Sequence, residues 1–125
     1  MTYAQSQLIL AKQAGRKGRG VFARMRIGKN AVIERVPVVI LPVVDIVSPA
    51  RQTKLASYVF NWGDGFVAIA LGYGSLYNHS SRPNADFQKE GRSTQVFSAR
   101  RDIEAGEEIT IDYNSQPFSF VVVEA

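Results

Sequence analysis

Glycine and proline punctuation restricts this chain more than any other feature. Ten glycines and five prolines divide its 125 residues into short runs. Between them apolar and β-branched residues alternate or cluster, which is the pattern of strands. QLILAKQ (7–13), VFARMRI (21–27), FVAIAL (66–71), ADFQK (85–89), TQVFSAR (94–100) and EEITIDY (107–113) each read as a strand. AVIERVPVVILPVV (31–44) supplies one or two more, with Pro37 and Pro42 placing part of it at a sheet edge or bend. GRKGRG (15–20) reads as a flexible turn. SPARQTKLASYVF (48–60) predicts the one helix, because Ser48 can cap it and Pro49 suits its first position. The expectation is a single, mainly β domain over residues 1–125.

Composition removes several function classes. The chain has no cysteine and one histidine, so disulfides and thiolate zinc cages are excluded, and a histidine-based metal site lacks ligands. The absence of cysteine fits a reducing intracellular compartment, cytoplasmic or nuclear. Prolines interrupt the longest apolar stretch, VPVVILPVVDIV (36–47), so it does not form a membrane helix. Charge is divided between the halves. Residues 1–60 carry ten basic against two acidic side chains, and residues 61–125 carry five against nine. The acid-free segment 12–29 is either a solvated basic face or a docking surface for nucleic acid or another anion.

Three local signals are weak singly. Gly18-Arg19-Gly20-Val21-Phe22-Ala23 matches a dinucleotide fingerprint, but a strand follows it and no βαβ pattern surrounds it, so that reading fails. His79 sits in YNHSSRPN with Ser80 beside it and no nucleophile elbow, which argues against a hydrolase triad. Tyr113 closes an alternating strand and precedes a polar turn, as many solvated strand-end tyrosines do.

In combination GRGVFA, ALGYGSLYNHSSRPNA and IEAGEEITIDY resemble the SET-domain protein-lysine methyltransferases over about residues 15–118. The size is similar to the smallest, viral members, without zinc-binding flanking segments. The resemblance implies a fold of several small β-sheets with a short helix and a C-terminal pseudoknot that brings the N-H-S turn beside the final tyrosine. It implies S-adenosylmethionine as cofactor, S-adenosylhomocysteine as product, and no metal.

Residue by residue, the same resemblance implies that Lys17, Gly18, Arg19 and Gly20 meet the amino-acid end of the cofactor. Asn78 and His79 would hold its amino group and adenine, with Tyr113 adjoining and Phe118 against the adenine. Tyr113 and Tyr58 would be the catalytic tyrosines, and Tyr58, Phe87, Ile111 and Tyr113 would line the substrate-lysine channel. Phe87 and Ile111 stand where some relatives carry a tyrosine that limits the product to one methyl. The implied partner is a protein presenting a lysine, such as a histone or another basic DNA-associated protein. A homodimer through edge strands and a nucleic-acid contact through the basic N-terminal half are further expectations, and a membrane is not. Two other functions remain open at this level: a non-catalytic SET-like module that binds peptide or cofactor, and a basic β-domain that binds nucleic acid.

Overall fold

The longest β-branched run of the chain becomes its central strand. The computed structural model describes residues 2–48 and 51–115. Its strands are β1 (Ile9–Gln13), β2 (Arg19–Ala23), β3 (Val32–Pro42), β4 (Val47–Ser48), β5 (Arg51–Gln52), β6 (Val59–Asn61), β7 (Phe66–Ala70), β8 (Asn78–His79), β9 (Ala85–Glu90), β10 (Thr94–Ala99) and β11 (Glu108–Ile111). They form a four-stranded sheet in the order β1-β2-β11-β8, a five-stranded sheet in the order β6-β7-β3-β10-β9, and the small hairpin β4-β5. The fold is mainly β, as the sequence implies.

In β3 the prolines sit where they cost least. Val32–Pro37 pairs antiparallel with β10, and Val38–Pro42 pairs antiparallel with β7. Pro37 therefore stands where the strand changes partner, and its carbonyl accepts from the Leu71 N–H at 3.0 Å. The next N–H, that of Val38, donates to Ser93 O at 3.0 Å.

The expected helix over 48–60 does not form. The backbone at Ser48 pairs with Arg51 in the β4-β5 hairpin, so it is strand where the helix was expected to begin. The Thr53 hydroxyl donates to Ile46 O at 2.9 Å, which ties that residue to the hairpin. What remains is a five-residue 3₁₀ turn, Lys54–Tyr58, and the chain then enters β6. The run read as a strand over 21–27 also stops early, at Ala23, and Ile27 makes an isolated bridge to Ile103. GRKGRG is more ordered than a flexible turn: Gly15–Lys17 is 3₁₀ and Arg19 opens β2.

Facing sides of the two larger sheets enclose the core. Val21, Ile33, Phe97, Ile103, Ile109 and Ile111 are all essentially without solvent contact, and each such aliphatic or aromatic side chain stabilises the fold by roughly 1.5–3 kcal/mol. One acid lies among them. Glu34, in β3, accepts from the Tyr77 hydroxyl at 2.9 Å and from the Tyr73 N–H at 3.0 Å. Tyr77 is itself buried and stacked on Phe97 with ring centroids 4.4 Å apart.

Candidate active site

The parallel pairing of β11 with β8 builds the site. It places Thr110 opposite Asn78 and Ile111 opposite His79. Two further contacts fix the register. The Ser80 N–H donates to Ile111 O at 2.9 Å. The buried Asn84 amide donates to Glu108 O at 2.8 Å and accepts from the Thr110 N–H at 2.9 Å. Asn84 thus substitutes for a length of strand.

Beyond β11 the chain delivers Tyr113 onto the same turn. Its N–H donates to His79 Nδ1 at 3.1 Å, and its hydroxyl donates to the Tyr77 carbonyl. Both ends of Tyr113 are therefore held by the residues that flank Asn78. Because His79 Nδ1 accepts a hydrogen bond, the ring proton belongs on Nε2. The imidazole is 6% exposed, and Nε2 has no partner among the described residues. Asp112 Oδ1 lies 3.7 Å from Nδ1, too far for a hydrogen bond, and accepts instead from the Asn114 N–H at 2.9 Å. His79 is thus oriented by backbone and keeps one buried polar atom for something else.

A narrow cleft of about 20 Å³ runs beside this clamp. Ala56, Ser57, Tyr58, Val59 and Phe60 form one wall, and Gly74, Ser75, Tyr77 and Tyr113 form the other. Tyr58, at the end of the 3₁₀ turn, is 40% exposed at its mouth. Burial, and then the charges that Tyr58 and Glu108 can carry, push the Tyr113 phenol up to about 12. At neutral pH it is a neutral donor and acceptor, not a base.

A second feature lies on the opposite side of Asn78. Gly18 has φ +80°, a conformation that side chains rarely adopt, and a Cβ there would meet only open space. Gly20 is the reverse case: a Cβ there would stand 2.5 Å from Glu108 Oε2 and 2.8 Å from Asn78 Nδ2. Asn78 Nδ2 donates to Glu108 Oε2 at 2.7 Å and to Arg19 O at 3.2 Å, while Lys17 Nζ lies 3.1 Å from Glu108 Oε1. Lys17, Arg19, Gly20, Asn78 and Glu108 thus meet in one cluster, a cradle that Gly18 adjoins in the chain.

Other expected site residues lie elsewhere. Phe87 packs one ring behind the cleft, 5.1 Å from Phe60 and 6.5 Å from Phe97 between centroids. Ile111 is fully buried in β11 and does not line the cleft. Phe118 lies outside the described residues. Sequence reasoning did not single out Tyr77, Glu34 or Glu108. An acid inside the apolar run VIERV was the available signal for Glu34, and the paired acids of AGEEIT for Glu108.

Comparison with known proteins agrees with this fold. The SET-domain family matches residues 18–114. The chain is 35% identical over 99 residues to a Schizosaccharomyces pombe histone-lysine N-methyltransferase specific for H3 lysine-37, covering 78% of this chain and 67% of that protein. It is 49% identical over 45 residues to the Drosophila melanogaster histone-lysine N-methyltransferase ash1, covering 34% of this chain but only 2% of ash1. In three dimensions it is similar to the crystal structure of a candidate histone methyltransferase from Plasmodium falciparum. The TM-score is 0.72 at 28% identity, over 94% of this chain and 97% of that one.

Proposed function

This chain belongs to the SET-domain family of protein-lysine methyltransferases, and from that premise we propose that it methylates a histone lysine with S-adenosylmethionine as donor. The observation that carries this reading is the Tyr113 clamp, with its phenol fixed in the wall of a cleft that Tyr58 also lines. The residues present fit the cofactor. Gly18 and Gly20 offer close backbone approach, Lys17 and Glu108 offer charges of both signs, and His79 Nε2 is a buried donor. When bound, the cofactor supplies an electrophilic methyl group.

The chain's own residues would prepare the amine. A lysine amine has a pKa of about 10.4 in water and reacts only without its proton. Apolar walls such as Ala56 and Phe60 disfavour the ammonium form by desolvation. Tyr113 cannot accept that proton as a base, since it is itself fully protonated at neutral pH. The proton leaves through the open mouth of the cleft, where Tyr58 meets solvent. Tyr113 and Tyr58 instead orient the amine, with the Tyr113 phenol held in place by its bond to the Tyr77 carbonyl. The names of two relatives support a histone as the substrate class, and with it a nuclear location.

Transfer of labelled methyl from S-adenosylmethionine to purified histones tests the proposal, with Tyr113→Phe alongside. Label on lysine that the variant loses is the expected result. Transfer unaffected by the variant would remove Tyr113 from the mechanism. Absence of label on every histone would overturn the substrate class, and absence of cofactor binding by calorimetry would overturn the donor.

A further inference from the structure

Glu108 carries negative charge into the cradle formed by Lys17, Gly18, Gly20 and Asn78. Its side chain is only 18% exposed. One carboxylate oxygen lies 3.1 Å from Lys17 Nζ, and the other accepts from Asn78 Nδ2 at 2.7 Å. That second oxygen also lies where a Cβ on Gly20 would collide with it, 2.5 Å away. The carboxylate is therefore held against the glycine backbone by residues on three different elements.

Its present cation is poorly placed to keep it. Lys17 is 52% exposed, and an ion pair with one partner so open to water is weakly held, screened by salt and costly in side-chain freedom. A half-buried carboxylate is better satisfied by a cation that enters the cradle and is desolvated with it. The cofactor of the reading above offers one. Its amino-acid end carries an α-ammonium and an α-carboxylate on one carbon, opposite charges that match Glu108 and Lys17. Glu108 also acts on the neighbouring chemistry, since its charge is one of the causes that keep the Tyr113 phenol protonated.

We propose that the Glu108 carboxylate binds the α-ammonium of the cofactor, taking it in exchange for the Lys17 ammonium, which turns to the cofactor's α-carboxylate. The proposal rests on the cofactor reading and adds to it the group that recognises the amine. Lys17 then acts as a placeholder that neutralises Glu108 until the ligand arrives.

The test is calorimetric and needs no turnover. Wild type and Glu108→Gln, both as the full chain, are titrated with S-adenosylhomocysteine and with its analogue lacking the α-amino group. Glu108→Gln is expected to weaken S-adenosylhomocysteine binding by about 10- to 100-fold, the usual worth of a hydrogen bond between charged groups. The desamino analogue is expected to bind both proteins equally. Equal losses for the two ligands, or no loss for either, would overturn the proposal and leave the cofactor reading standing. Failure of the wild-type chain to bind S-adenosylhomocysteine would overturn both. Should Glu108→Gln melt well below wild type, the wild-type chain still decides. Equal affinity for the two ligands leaves the ammonium without a partner and ends the proposal, and a tenfold or larger preference for the amine-bearing ligand that Glu108→Asp reduces upholds it.

Discussion

The Tyr113 hydroxyl donates its proton to the main-chain carbonyl of Tyr77. The bond commits the phenol proton to that carbonyl, and it makes the position of Tyr113 depend on the turn that also presents Asn78 and His79. Tyr113→Phe keeps the ring and removes both functions of the oxygen. Methyl transfer should fall by about 10²–10³-fold, the usual loss for one preorganised polar group in an active site. Affinity for S-adenosylhomocysteine should hardly change. Initial rates with labelled donor, read beside calorimetry, check both halves of the expectation.

Alkaline stability offers an independent readout of the same residue. The phenol is raised to about 12 in the fold from an ordinary value of 10.0. A group with a raised folded pKa contributes stability that is fully present below its unfolded pKa and lost as pH rises through its folded pKa. Wild type should therefore lose stability between about pH 10 and pH 12 more steeply than Tyr113→Phe. Urea unfolding of both proteins across that window measures the difference. Identical slopes would mean that Tyr113 is not buried in the fold.

Glu34 and Tyr77 form a polar pair inside the apolar core, and the pair predicts a pH-dependent mutant. Burial raises the Glu34 carboxyl above its ordinary 4.5, while the Tyr73 N–H and the Tyr77 hydroxyl lower it in opposition. The sign follows: the fold prefers the protonated acid, so its stability declines as pH rises from 4.5 through the folded value. Tyr77→Phe removes one of the donors that tolerate the ionised form. It should destabilise by about 1–3 kcal/mol at neutral pH, the cost of leaving a buried acceptor unpaired. The loss should be smaller near pH 4.5, below the raised folded value, where more of Glu34 carries its proton than at neutral pH. Denaturant melts at the two pH values compare them, and an equal loss at both would show that Tyr77 acts through packing alone.

How much of this was legible in the sequence depends on whether the signal was local. β7, β9, β10 and β11 follow from alternation and glycine turns, because each strand's pattern is contained in its own residues. β8 is two residues long and pairs across about thirty positions, so no window of sequence reveals it. The helix expected over 48–60 had the right cap chemistry, yet the backbone at Ser48 is taken into the β4-β5 pairing and the Thr53 hydroxyl bonds to Ile46 O, so pairing overrides a local cap. At the site, the glycines and the N-H-S turn stood out as unusual composition. Glu108 did not, because in EEITIDY it reads as an ordinary outward strand residue. Only the register of β11 against β2, with Glu108 opposite Phe22, turns it toward Gly20 and Asn78.

Two glycines separate the proposed cradle from the cleft and the core behind it. At Gly20 an added Cβ would meet Glu108 Oε2 at 2.5 Å and Asn78 Nδ2 at 2.8 Å, the far ends of side chains that can swing aside, and Ala14 Cβ at 3.1 Å, which must give by a few tenths of an ångström. At Gly74 it would meet Ala70 Cβ at 2.5 Å, with Phe97 and Val36 atoms at 3.2 Å, inside a core that cannot yield as easily. Gly20→Ala should therefore cost little stability while displacing both groups from the cradle, weakening S-adenosylhomocysteine binding by at least about tenfold. Gly74→Ala should do the converse, losing about 1–3 kcal/mol to overpacking. Its folded fraction should bind the ligand normally, because the cradle lies on other elements. Thermal melts and calorimetry on the two variants give four numbers, and the proposed cradle requires them to cross: the stable variant must be the poor binder. Binding by Gly20→Ala as tight as that of wild type would place the ligand away from Glu108 and Asn78 altogether.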